Sequence, residues 1–207
     1  METENKTTVL ETEVIGIPQI NNPDEHFQVR LVTQPAPAER PERNDYYFPK
    51  KYDIKKHHFE ITIKPENTPY WRFGFRYSKT DEFPLNTEPR HAENNDIVDI
   101  HICVGDMRSK GRWHHENRVY LQSYNVAQKP NPQLIEASYK GEEITMIAKW
   151  NPKTSKVYYE LKSNGRILCK NEFDLGSYKS CIFGAWSDFN EYNLSADIKV
   201  ISKPGDN

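Results

Sequence analysis

The sequence predicts an all-β protein, a jelly-roll β-sandwich of two antiparallel sheets with little helix. Three observations carry this expectation. Apolar and polar residues alternate in short runs between residues 59 and 200, turn signals recur between those runs, and no stretch has the period of a long amphipathic helix. Alternation also sorts faces, because successive strand side chains point to opposite sides of a sheet.

Taken in order, "VLETEVIGI" and "HFQVRLVT" read as two strands ahead of "QPAPAERPERND", residues 34–45. That stretch holds three prolines, which cannot donate to a ladder, so it reads as an irregular loop. In "HFEITIK", Phe59, Ile61 and Ile63 share a face; in "YWRFGFRY", Trp71, Phe73, Phe75 and Tyr77 do. "VDIHICV" sets Val98, Ile100, Ile102 and Val104 against Asp99, His101 and Cys103. "RVYLQSY" sets Val119 and Leu121 against Arg118, Tyr120, Gln122 and Tyr124. "ITMIAKW" and "KVYYELK" follow around the turn "NPKTS", and "SNGR" is a tight-turn signal. The last strand, "LSADIKV", buries Leu194, Ala196, Ile198 and Val200. Residues 46–207 form the sandwich; residues 1–45 either add strands to it or link it to another domain.

Composition narrows the partners. The 207 residues are only 36% hydrophobic, so 12 Tyr, 9 Phe and 4 Trp must supply much of the core volume. A formal net charge of -2 gives no electrostatic reason to expect nucleic acid. No apolar run approaches the roughly 20 residues that span a bilayer, and the acidic start "METENKTTVLETEV" has no apolar signal core, so neither a membrane nor secretion is expected. Cys103, Cys169 and Cys181 are odd in number and lack metal-ligand spacing, so they are expected as free thiols. These features together predict a cytoplasmic location.

The stretches "YWRFGFRYS", "DIVDIHI", "ITMIAKWNPKTSKVYYELKSNGRIL" and "YKSCIFGAWSDFN" resemble the concanavalin A-like lectin/glucanase superfamily, taken broadly to include laminin-G-like and SPRY-like domains. The resemblance covers roughly residues 50–203 and implies a sandwich whose last hairpin and closing strand lie near the C-terminus. That superfamily contains lectins, glycosidases and protein-interaction modules. Its glucanases carry acidic residues at alternate strand positions, because a glycosidase needs a carboxylate pair on one face. In "DIVDIH", Asp96 has the opposite parity to Asp99 and His101, and Ile97 fills the needed position. The motif is broken.

Candidate ligand-binding residues are Arg72, Arg76, Asp99, His101, Arg118, Tyr120 and Tyr158 on polar strand faces, with Trp186, Asp188 and Asn190 in "FGAWSDFNEYNL". Rings that stack on sugar C–H faces beside groups that take hydroxyls make a saccharide site. The competing explanation is a solvated face with cross-strand ion pairs. Asp188, Asn190 and Asn193 could ligate calcium, but such sites want more carboxylates, and turn chemistry accounts for Asx residues after a strand. "WHHENR" reads as a polar loop, since adjacent strand histidines point to opposite faces. No metal or cofactor is expected. Glu160 and Lys162 have the ExK arrangement of some nucleases, without the neighbouring acid and helices these need. Gly184 either leaves room for a flat ligand beside Trp186 or relieves crowding under a neighbouring aromatic, with Trp186 capping the core.

The first function class is therefore a non-catalytic binding module for a carbohydrate or glycosylated ligand. The alternative is a SPRY-like intracellular protein-interaction or sensor domain. An enzyme, glycosidase or nuclease, comes third, because no nucleophile, base and oxyanion arrangement can be assembled.

Overall fold

The structure, a computed structural model, describes residues 8–13, 25–33, 44–47, 50–65, 71–83, 96–106, 114–124, 131–136, 142–187 and 192–202. Its strands are β1 (Thr8–Glu13), β2 (Glu25–Thr33), β3 (Asn44–Tyr47), β4 (Tyr52–Asp53), β5 (His57–Pro65), β6 (Trp71–Ser78) and β7 (Ile97–Asp106). They continue as β8 (His114–Tyr124), β9 (Asn131–Glu136), β10 (Ile144–Asn151), β11 (Lys156–Ser163), β12 (Arg166–Asp174), β13 (Ser180–Ser187) and β14 (Tyr192–Ser202). There is no helix among the described residues. The first sheet runs β1-β2-β14-β5-β10-β11-β12 and the second β3-β13-β6-β7-β8-β9, with β4 also on β13. Every pairing is antiparallel. The expected sandwich is what the chain forms.

Local chemistry sets the hairpins. Asn164 (φ 49°) and Gly165 (φ 75°) both sit in the left-handed region, the pair of conformations that closes a two-residue hairpin between β11 and β12. Ser155, at φ 55°, ends the "NPKTS" turn into β11. The N-terminal strands belong to both layers: β2 lies between β1 and β14 in the first sheet, while β3 and β4 pair with β13 in the second. A boundary at residue 45 therefore falls inside β3.

Two segments depart from expectation. Residues 114–118 of "WHHENR" are strand rather than loop. Val104 pairs with Val119 but Asp106 pairs with His114, so a register shift breaks the alternation at this end of β8. β9 carries Pro132 and gave no strand signal; it is an edge strand, where a missing N–H is tolerated.

The core is aromatic, as the composition requires. Phe59 of the first sheet meets Phe75 of the second at 5.0 Å between ring centroids, and Phe75 meets Phe183 at 5.0 Å. Ile61, Ile63, Met146, Ile198 and Val200 close the first sheet's side, with Ile100, Ile102 and Leu121 on the second's. Cys181 is in this core, Cys103 is buried, Cys169 is half-buried, and none of the three is in a disulfide. Burial pushes the Cys181 thiol well up.

One polar contact bridges the layers inside that core. The hydroxyls of Tyr77 and Tyr159 hydrogen-bond to each other, and burial pushes both well above the usual phenol range. Tyr159→Phe should cost about 1–3 kcal/mol, because the Tyr77 hydroxyl is then buried without this partner. The double variant Tyr77→Phe/Tyr159→Phe should be more stable than the single one. Chemical denaturation of the three proteins measures the difference.

Candidate functional site

The two sheets present their outer faces very differently. On the first sheet, Lys199 pairs with Glu60 at 3.3 Å and Lys64 with Glu143 at 3.3 Å. Glu160 accepts from Tyr158 Oη at 2.8 Å and lies 2.6 Å from Lys162 Nζ and 3.4 Å from Lys170 Nζ. The Lys162 ammonium, then the Tyr158 hydroxyl, hold the Glu160 carboxyl down at about 2. These are surface ion pairs within and between strands, each worth little. Tyr158 and the Glu160–Lys162 pair stand here, away from the other candidates.

The second sheet gathers its polar residues in three cross-strand rows. Ile182, Arg76, Asp99 and Tyr124 form one; Tyr47, Gly184, Gly74, His101 and Gln122 the next. Trp186, Arg72, Cys103 and Tyr120 form the third. Register thus brings Arg72, Arg76, Asp99, His101 and Tyr120 onto one face, with the backbone of Trp186 in the row of Arg72. Arg118 lies in β8 and Trp186 in β13, each with its side chain outside the description; Asp188 and Asn190 lie outside the described residues.

Most of this face is buried. Arg76 is 0% exposed, and Asp99, His101 and Gln122 are 2% exposed each, while Arg72 is half-buried. A buried guanidinium must be paired. Arg76 Nε and a terminal nitrogen donate to the two Asp99 oxygens, both at 2.8 Å, in the forked geometry that suits a carboxylate. The Tyr47 ring covers the guanidinium at 4.5 Å from its centroid. One row along, His101 Nε2 and Gln122 Oε1 are 3.2 Å apart.

Gly74, paired with Gly184 across β6 and β13, explains how closely the neighbouring strand fits. A Cβ on Gly74 would lie 2.2 Å from the Ile100 carbonyl oxygen and 2.5 Å from His101 Cα, so β6 and β7 approach too closely for any other residue. Gly184 is the register partner of Tyr47 across β13 and β3. Ile182, Tyr47 and Phe83 make a small apolar cluster next to Arg76. Trp186 has the strand parity of Gly184 and Ile182, opposite to the core residues Phe183 and Cys181.

Sequence reasoning missed Tyr47, Gly74 and Gln122. Gln122 shares the parity of Tyr120 and was available as a candidate. Gly74 was visible as a small residue inside an aromatic strand, where it marks a close backbone approach. Tyr47 sits on a four-residue strand with no periodic signal.

No protein-family model matches the chain, and no curated protein matches its sequence. Solved structures do. The chain is similar to peanut lectin with a nine-residue peptide, at TM-score 0.51 and 9% identity over 96% of this chain and 100% of that one. It is similar to the carbohydrate recognition domain of Emp46p in potassium-bound form, at TM-score 0.50 and 12% identity over 94% and 88%. The exoplasmic/lumenal domain of VIP36 in its Ca2+/Man2-bound form gives TM-score 0.53 and 8% identity over 97% and 82%. At such identities the likeness shows the fold alone, and the two antiparallel sheets agree with it: the chain has the concanavalin A-like lectin fold.

Proposed function

We propose that the chain is a non-catalytic binding module for a carbohydrate or glycosylated ligand, held over the outer face of the second sheet. The observation that carries this is the buried Arg76–Asp99 fork beside the His101–Gln122 pair. Burying a charge pair gains little over a packed apolar pair, so its retention on an outer face suits a rigid, specific floor. In this reading Arg76, Asp99, His101 and Tyr120 are positioning residues. Half-buried Arg72 and its row partner Trp186 meet the ligand, as a hydrogen-bonding cation and a stacking ring. The peanut lectin and VIP36 structures, recorded with a peptide and with Man2, agree with ligand binding on this architecture. The peptide in the first of these supports a second reading, a protein-interaction module. A cytoplasmic location fits three cysteines of which none is in a disulfide. No nucleic acid, cofactor or catalytic role enters.

A glycan array probed with the labelled chain, beside a pull-down from lysate, separates the readings. Binding to a saccharide class, competed by the free sugar, is the expected result. Capture of a protein partner that no sugar displaces, with an empty array, would overturn the carbohydrate reading.

A further inference from the structure

The lysine-rich stretch "KKYDIKK", residues 50–56, has no role in the face described above. Pairing of β4 with β13 sets Asp53 against Ser180, and Lys179 N donates to Ser78 O at 2.9 Å. Lys51, Lys55, Lys179, Asp53, Asp81 and Ser180 thereby line a cleft of about 440 Å³. Ser180 and Trp186 are six steps apart along β13, roughly 20 Å at 3.3 Å per step, so this is a separate place on the sandwich.

The cleft's carboxylates are already engaged. Asp53 Oδ1 accepts from Lys55 N at 2.8 Å, and its Oδ2 lies 3.7 Å from Lys56 Nζ. Asp81 accepts from the Ser180 hydroxyl. Asp81 also stands in the left-handed region at φ 67°, a conformation that costs energy for a residue with a Cβ and here turns its carbonyl to Lys51 Nζ at 2.5 Å. The ammoniums are not neutralised in return. Lys51 meets that neutral carbonyl, Lys55 lies over the Trp150 ring at 5.6 Å, and Lys179 has no ion-pair partner among the described residues. In a chain of net charge -2, three exposed ammoniums against the carboxylates of Asp53 and Asp81 leave this cleft with a net positive charge, a local site for an anion.

We propose that this cleft binds the phosphate of a small phosphorylated sugar. A phosphomonoester carries close to two charges at neutral pH and three acceptor oxygens, matching several lysines better than a carboxylate does. The volume falls in the range of small-molecule sites and exceeds what a bare phosphate fills. Tyr52, the aromatic among the described residues lining the cleft, offers a nucleobase little stacking face: it is 3% exposed, and its hydroxyl donates to Glu25 Oε2 at 3.1 Å.

Calorimetric titration with glucose 6-phosphate tests this, with glucose and inorganic phosphate as separate arms. Glucose 6-phosphate should bind more tightly than inorganic phosphate, and added salt should weaken it. Lys51→Gln/Lys179→Gln should lower its affinity about tenfold or more, the effect of losing charge-assisted hydrogen bonds. Lys55→Gln should weaken it less, and Trp186→Ala should leave it unchanged, which separates this site from the proposed glycan face. All three lysines are exposed, so melting temperatures should hold. Absence of binding at millimolar ligand, affinity indifferent to the double variant, or equal affinity for inorganic phosphate would each overturn the proposal.

Discussion

Asp99→Ala should destabilise the fold by about 3–5 kcal/mol, the usual result of removing one partner from a buried ion pair. Arg76 is fully buried and its guanidinium donates twice to Asp99. Without the carboxylate, the buried charge keeps the Tyr47 ring but loses its forked partner. At this chain length the melting temperature should fall by about 6–20 °C, at roughly 2–4 °C per kcal/mol. Replacing both partners, as Arg76→Met/Asp99→Leu, should cost less than Asp99→Ala alone, because no buried charge is then left without its fork. Denaturant unfolding of the three variants against the parent protein checks this. A loss below about 1 kcal/mol for Asp99→Ala would mean that water reaches the guanidinium, and the buried floor would not exist.

Gly74→Ala should be nearly as severe, about 3 kcal/mol, at the upper end of the usual cost of overpacking. The atoms in the way are backbone, the Ile100 carbonyl oxygen at 2.2 Å and His101 Cα at 2.5 Å, so no side-chain rotation relieves the clash. β6 and β7 must separate, and the Arg76–Asp99 fork that spans them must stretch. Gly165→Ala is the control. That turn glycine has φ 75° and nothing within 4 Å of an added Cβ, so only backbone strain of about 1–2 kcal/mol opposes the change. Thermal melts of both variants should rank Gly74→Ala as the worse. Equal effects would contradict the close approach of the two strands.

Much of the fold was legible in the sequence. "KVYYELK" is β11 almost to the residue, and "ITMIAKW" and "LSADIKV" lie within β10 and β14, because each keeps one uninterrupted apolar face against the core. Signals failed where the chain departs from simple alternation: the register shift in β8, the proline-bearing edge strand β9, and the very short β3 and β4. The candidate site was legible in part. Arg72, Arg76, Asp99 and His101 were placed on polar faces, and strand register sets them side by side. Tyr158 went astray because alternation marks a polar face without saying which sheet carries it. Nor does alternation distinguish a polar residue in water from one buried in a pair. Arg76 and Glu160 look alike in sequence pattern, yet one lies in a closed fork and the other among surface ion pairs.

The binding role of the second sheet's outer face is tested most directly at Trp186. Affinity for the saccharide class found on the array should be measured together with melting temperature, for the parent protein, Trp186→Ala and Arg72→Ala. The account predicts that both variants lose binding about tenfold or more, the effect of removing a stacked ring or a charged hydrogen-bond donor worth some 1.5–3 kcal/mol, while their melting temperatures stay close to the parent's. Trp186→Ala that instead costs about 3–5 kcal/mol of stability, the range for a buried core tryptophan, and leaves saccharide affinity intact in the folded fraction would contradict it.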